Sequence, residues 1–382
     1  MPSSGSCAAM AVSCAALLSL VLAAVLVQRD PGGVPAPLPP TAQPTPPLPG
    51  PRASATPRLP RVAVVAHNAN TELTDFVVPY AVLKRSGAAE VWALAVEPGA
   101  VQFFPALRAL PDADMAAFDA RYPGGADYVI VPAVHEDADP RLLAWIGAQA
   151  AKGAVVIGIC DGVWLLARAG LLDGREAVSH WYSRQALASG FPAVRWRQDR
   201  RYVADGQVVT TTGVSASIPV SLALVETLAG RERAEALARQ LGESRWDAAH
   251  PSRGFRLGPR HLYTAARNAA RFWNHETLQA GLAPDVDDLV LALTADAYAR
   301  SYRTSVTGVA QGREAVRLAS GLAYLPDTAA TPQALSRPLP VLEAERTAPL
   351  LDGILAGIEA RYGHASAAFV ALQLEYPWAP LP

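Results

Sequence analysis

The stretch Val155–Arg175 reads VVIGICDGVWLLARAGLLDGR. A β-branched apolar run gives way to Gly158-Ile159-Cys160-Asp161-Gly162, and a segment with helical spacing follows. Glycines on both sides of a cysteine at this spacing match a nucleophile elbow, the tight strand-to-helix turn whose close neighbours must be small. Such a turn would present Cys160 at the carboxyl edge of a parallel sheet, where open α/β sheets bind ligands. The positive end of the following helix is expected to favour thiolate and lower the cysteine pKa. The competing reading is a buried structural cysteine, since free cysteine is among the most buried residue types.

Working outward, strand and helix signals alternate. RVAVVA from Arg61 reads as a buried strand, TELTDFVVPYAVLKRSG as a helix stopped at Gly87, and VWALAV as a second strand. DYVIVPAV is a third strand, and DPRLLAWIGAQAAKG is a helix with Pro140 near its start. AVVIGIC is a fourth strand. This order predicts an α/β fold: a doubly wound, mostly parallel sheet flanked by helices, of the flavodoxin-like kind.

The chain has 382 residues, enough for two domains, and 51% of them are apolar. Net charge is −1, so the whole chain gives no electrostatic footprint for nucleic acid. Cys7 and Cys14 lie in the leader with Cys160 alone beyond it, which excludes a disulfide framework. Ala8 to Val27 carries no charge, and twenty helical residues would span about 30 Å, a bilayer core. Residues 1–29 therefore read as a single-pass membrane anchor, with a cleaved signal and secretion as the alternative. Residues 30–60 are dense in proline and read as an extended spacer of at most about 90 Å that holds the folded part off the membrane.

GICDGVWLLARAGLLDGREAVSHW resembles the nucleophile region of the ThiJ/PfpI family, which has the class I glutamine amidotransferase-like fold. It is most similar to isocyanide hydratases and to the amidase-like sensor domains of AraC-type regulators. DGQVVTTTGVSASIPVSLALVETLAG continues the resemblance, which covers residues 61–250. The resemblance implies that Cys160 is the nucleophile. It also implies that Asp75 is a protonated carboxyl bonded to the thiolate, and that His180 is a base or a pocket wall beside Trp181. Asp161, Gly162, Ala133 and Val134 would form the pocket and oxyanion region.

Three departures from the family pattern bear on chemistry. Pro132-Ala133-Val134 stands where the family often has Pro-Gly-Gly, so an oxyanion N–H is in question. Asp161 follows the nucleophile, and a carboxylate there opposes thiolate. Ile218-Pro219 replaces an expected acidic position. His135 either enters the same mouth or is a loop residue.

After His250 no pair of helix-turn-helix units is found, so DNA binding is not expected. RHLYTAARNAARFW reads as a helix with apolar positions at helical spacing. The remainder reads as an internal repeat. Asp75 matches Asp288, and with a two-residue gap Arg85 then matches Arg300, Val101 Val316 and Ala109 Tyr324, at an offset of 215. Near the end Gly230 matches Gly363 and Gln240 matches Gln373, at an offset of 133. Residues 251–382 are accordingly expected to be a degenerate, truncated and mostly helical second copy, lacking the cysteine elbow. An unrelated helical cap is the alternative.

The expected function is a membrane-tethered cysteine hydrolase or hydratase acting on a small electrophilic carbon, within a pseudo-dimer or a homodimer. The alternative is a non-catalytic ligand sensor or scaffold. No cofactor and no metal are implied, because no Cys/His cluster has ligand spacing and no glycine loop has the pattern that cradles phosphate.

Overall fold

A computed structural model describes residues 33–38, 47–54, 56–330, 335–342 and 349–378. β1 (Arg61–Ala66) leads through α1 (Leu73–Ser86) to β2 (Glu90–Ala95). Gly87 ends α1 at φ 63°, the left-handed cap that a side chain resists. A hairpin follows, β3 (Val101–Phe104) and β4 (Arg108–Leu110), then β5 (Ala113–Asp114) and β6 (Tyr128–Val131). α2 (Pro140–Ala151), β7 (Val155–Gly158), α3 (Val163–Arg168), β8 (Tyr202–Asp205) and β9 (Val208–Thr211) complete the sheet, in the order β8-β9-β7-β6-β1-β2-β5. Every pairing is parallel except β8 with β9. The central strands are buried apart from Arg61 at the start of β1, as a parallel sheet covered on both faces requires. The expected α/β architecture is present.

α4 (Ser217–Ala229) and α5 (Arg231–Gln240) pack beyond the sheet, and α4 lies on α1. The C-terminal part opens with α6 (Pro259–Ala270), followed by β10 (Glu276–Gly281), α7 (Asp288–Ala299) and β11 (Thr304–Ala310). β12 (Val316–Arg317), β13 (Ala323–Tyr324) and β14 (Thr328–Ala329) precede α8 (Leu350–Tyr362) and α9 (His364–Gln373). Helices are the larger share of this part, but β10, β11 and β14 also form a parallel sheet. Alternating residues in ETLQAG and TSVTGVA bury Leu278, Ala280 and Val306, a period-two signal missed in the sequence.

The two parts share one core, in which α7 packs along α1. β13 pairs antiparallel with β4, placing Tyr324 opposite Ala109. Within the hairpins Val101 faces Ala109, and Val316 faces Tyr324. α4 and α8 have 13 residues each, α5 and α9 have 10, and Gly230 (φ 84°) and Gly363 (φ 86°) join the pairs.

The proline-rich segment is not a free spacer where it is described. Leu48 is buried in the core. Arg58 forms an ion pair with the buried Asp127, and Arg52 donates to the carbonyls of Gly124, Ala126 and Lys152. Gly33 bridges to Arg256. Two guanidiniums that satisfy a buried carboxylate and loop carbonyls dock a chain that proline alone would leave extended. The apolar stretch 8–27 lies outside the described residues. Among those described, no helix is long and apolar enough to cross a membrane.

Candidate functional site

β7 ends at Gly158, and Cys160 begins a short 3-10 turn into α3. Cys160 has φ 53°, a left-handed conformation that costs a non-glycine residue about 1–3 kcal/mol and concentrates at functional sites. Its amide donates to Thr211 Oγ1 at 3.1 Å, which ties the turn to the end of β9. A Cβ on Gly162 would lie 2.1 Å from the Val131 carbonyl, so only glycine lets the turn approach β6 this closely. The elbow read from the sequence is formed.

Asp75 sits in the first turn of α1 and is fully buried. Its Oδ2 accepts the Ala133 N–H at 3.3 Å, while Oδ1 is buried with no hydrogen-bond partner. Burial is the main cause that raises this carboxyl to about 8, opposed chiefly by the Ala133 N–H and Arg300. Burial thus favours the neutral form of Asp75. Its bond to the cysteine is not formed. The Ala133 N–H that an oxyanion would need is held by Asp75 instead. Val134 bridges to Thr71 through its backbone.

Cys160 is 8% exposed. Burial pushes its thiol well up, and Asp75, Asp161 and Glu72 push in the same direction against Arg300. The expected lowering is thus reversed. The partial charge of a short helix start is outweighed by desolvation and three carboxyls. Asp161 Oδ1 is buried without a partner.

The remaining walls come from the far end of the chain. His180 Nε2 lies 3.1 Å from the Gln373 carbonyl, which can only accept, so this nitrogen carries a proton and donates it. The Trp181 indole donates to the Leu372 carbonyl at 2.8 Å. Glu375, fully buried at φ 53°, accepts from the amides of Trp181 and Gly213. Its other oxygen lies 3.4 Å from His250 Nε2. Arg300 pairs with Glu72 and Asp296 beside Asp75, and all four are buried or nearly so. A cavity of about 360 Å³ is lined by Asp161, His180, Trp181, Arg300, Phe369 and Gln373 among others. The Cys160 sulfur is not among its lining groups.

The structure thus gathers Cys160, Asp75, Asp161, Gly162, Ala133, His180 and Trp181 around one sheet edge. His135 instead packs against Phe104, with the rings tilted by 48° and 4.7 Å between centroids. Arg300, Gln373 and Glu375 were missed as site residues. Two of them, Arg300 and Gln373, are positions that the sequence comparison of the two halves pairs with Arg85 and Gln240.

The DJ-1/PfpI family matches residues 60–227. The chain is 34% identical over 103 residues to isonitrile hydratase of Pseudomonas putida, covering 27% of this chain and 44% of that protein. It is also 34% identical over 101 residues to the HTH-type transcriptional regulator CdhR of Pseudomonas aeruginosa, covering 26% and 30%. The chain thus spans less than half the length of either relative. The crystal structure of Drosophila melanogaster DJ-1beta is 22% identical and covers 49% of this chain and all of that one, with a TM-score of 0.45. An elbow cysteine beside a buried acid, on a sheet of this order, agrees with the family match, and residues 60–227 of this chain are a DJ-1/PfpI family domain.

Proposed function

We propose that the Cys160 site hydrates a small electrophilic carbon, with isocyanides as the first class to test. The carrying observation is the pairing of a strained elbow cysteine with a buried Asp75 whose neutral form is favoured and whose Oδ1 has no partner. Sulfur adds to the isocyanide carbon, and the thiol proton is delivered to that carbon through Asp75, giving a thioimidate. Water then adds to the same carbon, the S–C bond breaks, and the proton returns to sulfur as the N-substituted formamide leaves. No electrons are exchanged with a cofactor. His180, anchored on the Gln373 carbonyl, orients the water.

A second reading, a ligand sensor without turnover, is favoured by the raised Cys160 thiol and by the engaged Ala133 N–H. Incubation with an alkyl isocyanide, followed by NMR of the formamide proton, separates them. Formamide production lost in Cys160→Ala supports the hydratase. Saturable binding without product supports the sensor. Neither result would leave both readings without support.

We also propose that residues 251–382 are a truncated second copy that replaces the partner of a dimer, and that residues 8–27 tether the chain to a membrane. The hairpins Val101–Ala109 and Val316–Tyr324 have the same register, and Ala109 faces Tyr324, its own counterpart. Equivalent residues meet in this way across a two-fold axis. The ion pairs Arg85–Asp287 and Arg300–Glu72 exchange in the same manner. In this register Asp288 corresponds to Leu73 rather than to Asp75, so the acid has no second version. A solution mass showing an obligate symmetric dimer through residues 61–250 would sink the pseudo-dimer reading.

A further inference from the structure

α6 is turned inside out. Its buried residues are His261, Thr264 and Asn268, all polar. Thr264 donates to the Arg260 carbonyl, and Asn268 donates to the Ser301 carbonyl and to Ser366. The opposite face carries Leu262, Tyr263, Ala266, Ala269 and Ala270, all exposed, and the following turn adds Phe272 and Trp273. Leu262 is 56% exposed, Tyr263 65%, Phe272 74% and Trp273 67%. A helix on a water-facing protein surface shows the reverse polarity. Contiguous exposed apolar surface marks an interaction site.

The segment that carries this face is basic, although Arg253 pairs with Asp199 and Glu276 follows it beside Ala269. From His250 to His275 there are five arginines and no acidic residue, in a chain whose net charge is −1. Arg260 and Arg271 flank the apolar face and are exposed. Helices with an apolar aromatic face flanked by arginine lie in the headgroup region of bilayers.

We propose that the outward face of α6, with Phe272 and Trp273, docks on the surface of a bilayer containing anionic lipid. Chain reach supports this occupant over others. Gly33 is bridged to Arg256, just before α6. The residues between Val27 and Gly33 span at most about 20 Å. The end of the uncharged stretch 8–27 is therefore held within about 20 Å of Gly33, which is itself bridged to Arg256, just before this helix begins. Leu257 and Leu262 also line the Cys160-side cavity, so docking turns the mouth of that cavity toward the lipid. The inference rests on the polarity of α6 and takes its occupant from the anchor reading, while it stands apart from the isocyanide chemistry.

The test uses the full chain in vesicles of brominated phosphatidylcholine, with and without phosphatidylglycerol. The Trp273 emission is taken as wild type minus Trp273→Phe. The expected result is quenching of Trp273 that requires phosphatidylglycerol and is reversed by salt. Arg260→Gln with Arg271→Gln should lower the docked-to-free ratio about 25-fold, since each basic residue at an anionic surface is worth about fivefold. The Cys160 alkylation rate checks that the variant is folded, and the wild-type lipid comparison decides even where it is not. Vesicle retention without Trp273 quenching would keep the anchor and overturn the docking. Shielding of Trp273 from acrylamide before lipid is added would overturn it in favour of cover by residues 8–27 or a second copy. Shielding by single-stranded DNA alone would overturn it in favour of nucleic acid.

Discussion

Arg300 forms an ion pair with Glu72 across 228 residues of sequence, and the same guanidinium holds Asp296 at 2.7 Å. The cluster sits beside Asp75 and Cys160 and joins α7 to the start of α1. Removing the cation leaves buried carboxylates uncompensated. Arg300→Gln is expected to destabilise the fold by about 3–5 kcal/mol, read from urea denaturation. It should also raise the Cys160 thiol further, because Arg300 is the group that opposes its upward shift.

Asp75→Asn is expected to stabilise the protein at pH 7–8. The Asp75 carboxyl is raised from its ordinary value to about 8, so its neutral form is the one the fold prefers. That preference is fully present below the unfolded pKa near 4 and is lost as pH rises through about 8. An amide of the same shape keeps the Ala133 bond and never ionises. The gain should be a few kcal/mol, since each pK unit by which the folded state raises the carboxyl is worth about 1.4 kcal/mol once the pH exceeds the unfolded value. It should vanish by about pH 4, and melting curves at both pH values check the sign.

The same variant reports on the thiol. Asp75 and Asp161 both push Cys160 upward. Alkylation of the wild type should therefore still be rising above about pH 8.5, the ordinary thiol value. Asp75→Asn and Asp161→Asn should each move the profile to lower pH. A wild-type profile flat above pH 7 would contradict this.

Gly162→Ala places a methyl group 2.1 Å from the Val131 carbonyl, and backbone cannot swing away as a side chain can. The elbow must open, at a cost of roughly 1–3 kcal/mol or more. The variant should alkylate faster at fixed pH as Cys160 loses its cover, with a lowered melting temperature.

Trp181→Phe removes the indole donor to the Leu372 carbonyl while keeping the ring. Loss of this bond should cost about 1–3 kcal/mol. It should also loosen the C-terminal wall, read as faster proteolysis after α9.

The elbow was legible because it is local: a strand, two glycines and a helix within a few residues. Asp75 and His180 were legible through resemblance to the family, and their placement at the sheet edge follows from the alternation of strands and helices. The preference of Asp75 for its neutral form follows from burial, whereas the direction of the Cys160 shift depends on how many carboxyls burial gathers, which no spacing reveals. Arg300, Gln373 and Glu375 reach the site only by tertiary contact. α6 was legible as a helix, but periodicity does not say which face points inward. His261, Thr264 and Asn268 took the buried side because partners such as Ser301 and Ser366 stand opposite. The docking of the proline-rich segment was equally hidden, since it depends on Arg52 and Arg58 finding carbonyls and Asp127.

The bonds from Gln373, Leu372 and Glu375 to the His180–Trp181 loop have a consequence for how the protein responds to dilution. A pocket completed by a separate subunit comes apart when concentration falls below the dissociation constant. Here the closing segment is on the same chain, where flexible tethering alone already corresponds to roughly millimolar local concentration. The pocket stays assembled when only a few copies are present, and its two walls are inherited together.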